Sequence, residues 1–388
     1  MAGKTKKIIG KIHLWLGLIS GTGVFVIALT GSIYAFQAEI QDLLQAYRFA
    51  SPQHGPFLPP STLIRLADQA LPGKKVHAVM YEGADRSARV IYWSPEHDYY
   101  YFVYIDPYRG KVLKVKNESR DFFRIILDGH YYLWLPPAAG QPVVAATTLV
   151  FVIMLCSGMF LWWPGKLKGS RHRFRIKWDA RWRRKNYDLH YVTGFYIFLL
   201  CLVIALTGLI WGFQWFRDGV YAIMPGGGEF VEYYTPRSEQ AAEYPDDQSA
   251  IDRVWRKMLK EYPEAAWIEI HPPTDSLSAI AANANPEAST YWKTDYRYFD
   301  QYTLEERPVG HIWNRFEESA PADKLMRMNY DIHTGAILGF PGKFLACMIS
   351  LLVASLPITG LVIWFGRKKK KKSASANLNI KKKKTAIF

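Results

Sequence analysis

The sequence HLWLGLISGTGVFVIALTGSIYAFQ, residues 13–37, returns as HYVTGFYIFLLCLVIALTGLIWGFQ at residues 190–214, and this repeat specifies the architecture. Eleven of the 25 positions are identical without a gap, among them His13 and His190, Gly17 and Gly194, and the ALTG tetrads at 28–31 and 205–208. Neither copy contains Asp, Glu, Lys or Arg. About 20 such residues in a helix cross the apolar core of a bilayer, so the pattern predicts one spanning element that occurs twice.

Two further apolar runs complete a set of four. The predicted order along the 388 residues is an N-terminal segment 1–12, a first span 13–36, an outer segment 37–140, a second span 141–163, a basic loop 164–188, a third span 189–213, an outer segment 214–340, a fourth span 341–365 and a basic tail 366–388. Four buried helices of a soluble protein are the alternative. Uncharged runs of this length favour the membrane.

The repeat extends beyond the first and third spans. SGMFLWWPGK at 157–166 resembles TGLVIWFGRK at 359–368, and the Asp-x-His sequence at 128–130 returns at 331–333. The unit of span, outer segment and span therefore occurs twice in one orientation. This predicts an α-helical membrane protein, a four-helix bundle built from two parallel repeats around an axis along the membrane normal.

The two outer segments have a different pattern from the spans. Both contain short β-rich stretches between turn residues, and their turns resemble each other, with IDPYRG at 105–110 matching FDQYTL at 299–304. Such stretches predict strands. We therefore expect two small α+β modules on the outer side of the membrane.

Basic residues predict the orientation of the chain. Segments 1–12, 164–188 and 366–388 together carry 24 Lys or Arg and 2 acidic residues, whereas the rest carries 25 and 32. By the positive-inside rule both termini and the 164–188 loop face the cytoplasm. Nucleic-acid binding is the other use of basic tails, but orientation and anionic lipid headgroups explain these better.

The three cysteines, Cys156, Cys201 and Cys347, each lie inside an apolar run. This placement excludes a disulfide framework and a cysteine metal site. The chain has no CxxC sequence, which argues against covalently attached c-type haem.

Four histidines stand at span ends in positions related by the repeat. His13 and His190 are at the cytoplasmic ends of spans one and three, and His130 and His333 precede spans two and four at the outer face. An ionisable residue at membrane depth is a functional candidate by default. The pseudo-twofold would place His13 opposite His190 and His130 opposite His333. Two imidazoles facing each other predict axial ligation of a haem iron in each layer.

Glycines support this arrangement. Gly31 and Gly208 each follow a histidine by 18 residues, which is five whole helical turns, so glycine and histidine share one helix face. The missing side chains at Gly31 and Gly208 would let an outer porphyrin lie against the helix, and those at Gly17 and Gly194 would do so for the inner layer. The alternative is that these small residues only allow close helix packing.

The histidines have other possible roles. Asp128, Asp188 and Asp331 each precede a histidine by two positions, a spacing that predicts a helix N-cap rather than a carboxylate holding the ring. Zinc requires four close ligands and di-iron sites in bundles require glutamates, but no acidic residue lies within a span. The remaining histidines, His54, His77, His97, His172, His271 and His311, lack repeat partners and are expected to be ordinary.

These motifs together resemble the PepSY-associated transmembrane family, and within it the ferric-siderophore reductases of the bacterial inner membrane. The resemblance rests on the two His-x-x-x-Gly starts, both ALTG tetrads, both Asp-x-His sequences, SGMFLWW with TGLVIWF, and YIDPYRGKVL at 104–113, which is similar to the core of a PepSY module. It covers nearly the whole chain. It implies a multi-pass inner-membrane protein with two b-type haems that reduces siderophore-bound ferric iron in the periplasm and releases Fe(II).

The resemblance leaves the partners open. No GxGxxG or Walker sequence follows a predicted strand, so no flavin or NAD site is visible, and the electron donor is expected to be a cytoplasmic partner or a quinol. The excess of acidic residues outside the three basic segments favours a neutral or cationic iron complex, with a hydroxamate siderophore as the expected type. Two rival functions remain: a haem-containing anchor for a separate oxidoreductase, and a haem-free regulatory or assembly protein.

Two further groups of residues have both a functional and a structural interpretation. Arg124 and Arg327 shortly precede His130 and His333, and are candidates to pair with haem propionates. The dense aromatics at 99–104 and 291–302 predict either a cleft for the iron chelate or ordinary strand packing.

Overall fold

The computed structural model describes residues 2–164, 173–239 and 249–385, with side chains described for 4–164, 173–239 and 249–367. The chain divides into two compact units. The helical unit comprises Met1–Ala35, Ile126–Phe213 and Pro341–Phe388, and the sheet unit comprises Phe36–Ile125 and Gln214–Phe340. His172, part of the basic loop and the side chains of most of the basic tail lie outside the described residues.

Four long helices make up most of the helical unit. They are α1 (Ala2–Tyr34), α5 (Pro137–Trp162), α6 (Trp182–Gly212) and α10 (Gly339–Thr385). Each contains a stretch long and apolar enough to cross a membrane, which confirms the four predicted spans. Helices α1, α5 and α6 begin four or more residues before their predicted spans, so His13 and His190 lie inside α1 and α6 rather than at their first turn.

The four helices share one small apolar core. Val24 of α1, Leu155 of α5, Ile197 and Cys201 of α6, and Ile349 and Val353 of α10 form a single buried cluster. One or two residues from each helix meet there, as expected for a four-helix bundle. Most other apolar side chains of these helices are exposed or partly exposed, which suits a surface that faces lipid.

The sheet unit contains seven strands among the described residues. They are β1 (Val76–Tyr81), β2 (Ala88–Ser94), β3 (Tyr99–Ile105), β4 (Val112–Asn117), β5 (Trp267–His271), β6 (Ile280–Asn285) and β7 (Asp295–Phe299). The helices outside the long four are α2 (Gln37–Leu44), α3 (Pro60–Ala70), α4 (Phe122–Tyr132), α7 (Gln214–Ile223), α8 (Ala250–Glu261) and α9 (Pro321–Thr334). Helices α3 and α8 cover one face of the sheet through residues such as Leu63, Val254 and Met258.

The two outer segments form two α+β halves that share one sheet rather than two independent modules. All seven strands form one antiparallel sheet in the order β4-β3-β2-β1-β5-β6-β7, and both outer segments belong to one compact unit. The physical reason is that β1 and β5 are the edge strands of the two halves. Their direct antiparallel pairing satisfies backbone groups that two isolated modules would leave exposed.

Inside the sheet unit the two halves follow one pattern. Val79 of β1 lies directly opposite Ile270 of β5, and the backbone N–H and hydroxyl of Ser61 on α3 both donate to the Asp252 carboxylate on α8. The matching turns IDPYRG and FDQYTL are built alike, because the carboxylates of Asp106 and Asp300 each accept two backbone N–H groups. The repeat seen in sequence is therefore a repeat of local structure.

Candidate functional site

A histidine and a hydroxyl residue meet at two repeat-related places in the helical unit. On α1 the Nδ1 atom of His13 lies 2.9 Å from Oγ of Ser157 on α5. On α6 the Nδ1 atom of His190 lies 2.9 Å from Oγ1 of Thr359 and 3.1 Å from the Leu356 carbonyl oxygen, both on α10. Ser157 and Thr359 are the first residues of the matching SGMFLWW and TGLVIWF sequences.

The partners of these hydroxyls fix the direction of the hydrogen bonds. Ser157 donates its own hydroxyl proton to the Met154 carbonyl, and Thr359 donates to carbonyls on its own helix. Both hydroxyl oxygens therefore accept from the imidazoles. A ring that donates from Nδ1 carries its lone pair on Nε2, which is the atom that binds a metal.

A glycine lies beside each of the two rings. A Cβ atom at Gly158 would come 3.3 Å from Cε1 of His13, and one at Gly360 would come 3.5 Å from Cε1 of His190. Each Ser-Gly or Thr-Gly pair thus positions its histidine in two ways. The hydroxyl accepts a hydrogen bond from the ring, and the glycine leaves space for the ring. Sequence reasoning did not assign these four residues, although the dipeptides occupy equivalent positions in both repeats.

The two histidines belong to different helices of one bundle. His13 exerts an electrostatic effect on His190, and both rings are half-buried. Two imidazoles on different helices, each presenting Nε2, are one of the donor sets that hold a haem iron. The described residues hold no group of three or more His, Cys, Asp or Glu suited to a metal ion, so a four-ligand zinc site has no support there.

His130 has an equivalent environment on another helix. Its Nδ1 atom lies 2.8 Å from the Ile27 carbonyl oxygen on α1, and a carbonyl only accepts, so this ring also donates from Nδ1. A Cβ atom at Gly31 would come 2.9 Å from Cε1 of His130. Gly31 therefore leaves space for the His130 ring itself. It lies one helical turn after Ile27, whose carbonyl accepts the hydrogen bond from that ring.

The other predicted site residues are more dispersed. His333 lies near the end of α9 in the sheet unit, whereas His130 belongs to the helical unit, so their pairing stays a prediction from the repeat. A Cβ at Gly17 would meet Met154 Cε at 3.0 Å, and one at Gly194 would meet nothing within 4 Å. Gly208 lies in α6 near its end.

The two arginines predicted to meet haem propionates differ in their surroundings. Arg124 is half-buried in α4. Arg327 is buried in α9, where its guanidinium donates to the carbonyls of Asn314 and Thr294 and to the Ser319 hydroxyl. These bonds give Arg327 a structural role within the sheet unit. A role for either arginine toward a propionate stays a prediction.

The predicted helix caps at Asp128, Asp188 and Asp331 are wrong. Each lies well inside a helix, because α4, α6 and α9 begin six to ten residues earlier, at Phe122, Trp182 and Pro321. Asp188 instead binds Arg184 on its own helix and the backbone N–H of Lys177. Asp331 accepts the backbone N–H groups of Tyr291 and Trp292. Both carboxylates therefore connect a helix to the backbone of a neighbouring loop through hydrogen bonds.

The aromatic row at 99–104 is divided by the pleat of β3. Tyr99 and Tyr101 pack toward the helix-covered core, whereas Tyr100, Phe102 and Tyr104 alternate onto the opposite face. Tyr104 packs there against Tyr47, and Phe102 packs against Tyr100. Strand packing therefore accounts for much of this row, and a chelate cleft stays a prediction.

A polar cluster occupies that opposite face where the two halves of the sheet join. Glu269 Oε2 lies 3.3 Å from His271 Nε2, and Asn283 Nδ2 lies 3.3 Å from the same carboxylate oxygen. The His77 ring packs edge-on against the His271 ring with centroids 5.0 Å apart. His77 and His271 therefore have specific partners, which sequence reasoning did not foresee.

The ion pair in this cluster shifts both pKa values. Burial by itself lowers the pKa of His271, but the adjacent Glu269 carboxylate outweighs this effect and raises it above its ordinary value. Burial likewise opposes ionisation of Glu269, but the charge and hydrogen bonds of His271 and the Asn283 amide bring the pKa of Glu269 to about 2. Burial and the His271 charge lower the pKa of His77.

Stability should therefore depend on pH through His271. A histidine whose pKa is raised in the folded state stabilises the fold. This stabilisation is complete below the unfolded-state pKa of about 6.5 and is lost as the pH rises through the folded-state pKa. The contribution of Glu269 to stability is constant above about pH 4.5, because its carboxylate is ionised in both the folded and the unfolded state. We expect His271 to contribute about 1 kcal/mol more stability at pH 6 than at pH 8, which corresponds to about 2–4 °C in melting temperature for a unit of this size. The lowered pKa of His77 acts in the opposite direction, so the His271 contribution is measured as a difference between variants.

The matched variants are His271→Gln and, at an exposed histidine, His97→Gln. Thermal unfolding in detergent should show a smaller pH 6 to pH 8 difference for His271→Gln than for the wild type. His97→Gln should keep the full difference. Equal pH dependence in all three proteins would contradict the assignment to His271.

The helical unit has four membrane-length helices around one core, with histidines held by neighbouring helices. Together with the seven-stranded sheet, these features define a class of multi-pass membrane protein built from two repeats. The chain belongs to the PepSY-associated transmembrane family, since the model described as "PepSY-associated TM region" matches residues 11–367. A search of curated proteins finds no match to the chain.

Proposed function

We propose that this protein is a dihaem electron-transfer protein of the bacterial inner membrane that reduces siderophore-bound ferric iron on the periplasmic side and releases Fe(II). The observation that carries the proposal is the repeat-related pair of His13 and His190, each fixed through Nδ1 by a hydroxyl on the neighbouring helix. Metal-bound histidines in proteins are held in this manner, and a ring held this way loses little freedom on binding.

The residues present fit a haem in this layer. His13 and His190 would bind the iron through Nε2, while Ser157 and Thr359 keep both rings in the required tautomer and orientation. Gly158 and Gly360 leave room for each imidazole. Bound haem would supply reversible one-electron chemistry at a potential set by its ligands and its burial.

The second haem of the proposal rests on the repeat. His130 would bind it together with His333, with Gly31 and Gly208 giving room and Arg124 and Arg327 as candidates to pair with its propionates. The Ile27 carbonyl already holds the His130 ring through Nδ1. The charge distribution of the three basic segments supports cytoplasmic termini, which would put the His130 and His333 layer on the periplasmic side.

The substrate class follows from iron chemistry and from charge. Hydroxamate oxygens are hard ligands that hold Fe(III) far better than Fe(II), so transfer of one electron to the chelate promotes release of the metal. The acidic excess outside the basic segments would attract a cationic complex, admit a neutral one and repel an anionic one.

The test uses purified protein, dithionite-reduced and freed of excess reductant under argon. Adding a ferric trihydroxamate chelate should reoxidise the haem bands at least about tenfold faster than air-free buffer does. The gallium(III) complex of the same chelator is the matched control, because it has the same shape and charge but is not reduced. Reoxidation no faster with the ferric chelate than with the gallium chelate would overturn the substrate.

The two rival functions give different results in the same preparation. A pyridine haemochrome assay should give two haems per chain, and a colourless protein would instead favour the regulatory or assembly role. Haem without ferric-chelate activity, together with stable co-purification of a catalytic partner, would favour the anchor.

A further inference from the structure

A groove of about 490 Å³ opens on the surface of the helical unit beside α6. Its walls come from the segment 174–178, from α6 residues including Thr193 and Tyr196, and from Leu352 of α10. Grooves of this size accommodate ligands as large as a fused-ring molecule. Most of the lining is apolar or aromatic, and Arg175 contributes the one charged group among the lining residues described.

The wall formed by segment 174–178 is held in place by several hydrogen bonds. The Arg173 guanidinium donates to the Trp162 carbonyl at 2.8 Å and to the Tyr191 hydroxyl at 2.7 Å. The Tyr196 hydroxyl donates to the Phe174 carbonyl at 3.1 Å. These contacts fold the loop back onto α6, so the groove is a built feature rather than a gap beside a loose segment.

The position of the groove restricts its occupant. Thr193 lies one helical turn after His190, and Leu352 lies one turn before Leu356, whose carbonyl holds the His190 ring. Both lining helices are membrane spans, and Leu352 lies near the middle of its span. An occupant therefore has a ring or headgroup beside the His190 turn and a tail that lies in the bilayer.

The chemistry of the lining favours a flat redox-active ring. Phe174, Trp178 and Tyr196 offer aromatic surfaces for stacking, and the hydroxyl of Thr193 and the guanidinium of Arg175 offer hydrogen bonds to a carbonyl or hydroxyl oxygen. No nucleotide-binding sequence supplies a donor domain within the chain.

We propose that this groove binds the ring of a membrane quinol and is where the electron donor docks. The inference rests on the proposed function and names its donor. Oxidation of one quinol breaks two O–H bonds, releases two protons on the side of the basic loop and yields one quinone. Its two electrons reduce two ferric ions, one electron each.

The test measures binding rather than turnover. Ubiquinone-1 and menadione are titrated separately into the oxidised, detergent-purified full-length protein while tryptophan fluorescence is recorded. We expect a saturable quenching component with at least one of the two probes, in addition to linear quenching by probe dissolved in micelles. Trp178→Phe should remove that component, whereas Trp182→Phe should retain it, because Trp182 is equally exposed (64% against 65%) but lies outside the groove.

A second pair of variants tests the site with Trp178 in place, and each adds one tryptophan, so the two can be compared with each other. Leu352→Trp fills the groove and should weaken the saturable component at least about tenfold, the effect of a loss near 1.4 kcal/mol. Leu351→Trp adds the same side chain to a neighbouring exposed position outside the groove, and should leave binding unchanged.

The outcomes separate this inference from the proposed function. Two haems per chain without saturable quenching by either probe would overturn the quinol site and leave the haem proposal standing. Native mass spectrometry that finds a phospholipid bound in the wild type and lost in Leu352→Trp, with no quinone effect, would assign the groove to lipid instead. Quinone binding by a haem-free protein would overturn the donor role.

Discussion

His190→Ala is expected to remove about half of the haem from each chain, because one of two proposed ligand pairs loses an axial imidazole. The remaining haem should keep a low-spin bis-histidine spectrum, since His130 and His333 are unchanged. Haem per chain by pyridine haemochrome and the low-temperature absorption bands measure both quantities. His13→Ala should give the same result, because it removes the opposite member of the same pair.

The matched control is His54→Ala, which removes an exposed histidine of the sheet unit. It should retain two haems per chain. Two haems in His190→Ala would show that the pairing of His13 with His190 is wrong. If His190→Ala loses all haem and aggregates on gel filtration, His190→Met distinguishes misfolding from loss of a ligand. Methionine keeps an axial ligand and occupies the space of the imidazole.

Gly31→Ala should displace His130 and deplete the second haem while leaving the first. A Cβ atom at position 31 would come 2.9 Å from Cε1 of His130, closer than Cβ atoms approach their neighbours, and a tight 3.1 Å from Nδ1. The ring is held by the Ile27 carbonyl one turn away on the same helix, so it cannot shift without losing that bond. Haem content should fall from two toward one per chain.

Gly10→Ala is the control for this substitution because it makes the same change on the same helix. Its Cβ would meet the nearest atom, Cδ2 of Leu161, at 3.8 Å, which is an ordinary contact. Haem content should stay at two per chain. If Gly31→Ala also retained two haems with unchanged spectra, His130 would not be an axial ligand.

The paired behaviour of these variants would distinguish the layers of the bundle. His190→Ala acts on the layer near the basic segments, and Gly31→Ala acts on the layer near the far end of α1. The double variant should therefore lose nearly all haem, because effects at well-separated independent sites add.

Much of the fold follows from local patterns. Long uncharged runs specify helices that cross a membrane, because an unpaired backbone in lipid is too costly for any other single-segment structure. The β-rich stretches of the outer segments form strands, and the turns around Asp106 and Asp300 share one geometry, since an Asx turn needs only its own neighbours. The family also follows from the sequence, because its motifs cover residues 11–367.

Other features depended on partners distant in sequence. The edge pairing of β1 with β5 joins the two outer segments into one sheet, and neither strand alone indicates its partner. The Glu269–His271 pair with the neighbouring His77 ring arises only because those strands are adjacent. The helices that contain Asp128, Asp188 and Asp331 extend beyond their apolar runs, so positions that resembled caps are interior ones.

Four spans, two repeats and four histidines at repeat-related positions can be predicted from the sequence, because hydrophobicity, length and residue identity are properties of the chain alone. Which atoms hold those rings depends on tertiary packing. Ser157, Thr359 and the Ile27 carbonyl lie on neighbouring helices, and a hydrogen bond between helices depends on their packing and rotation rather than on spacing along one chain.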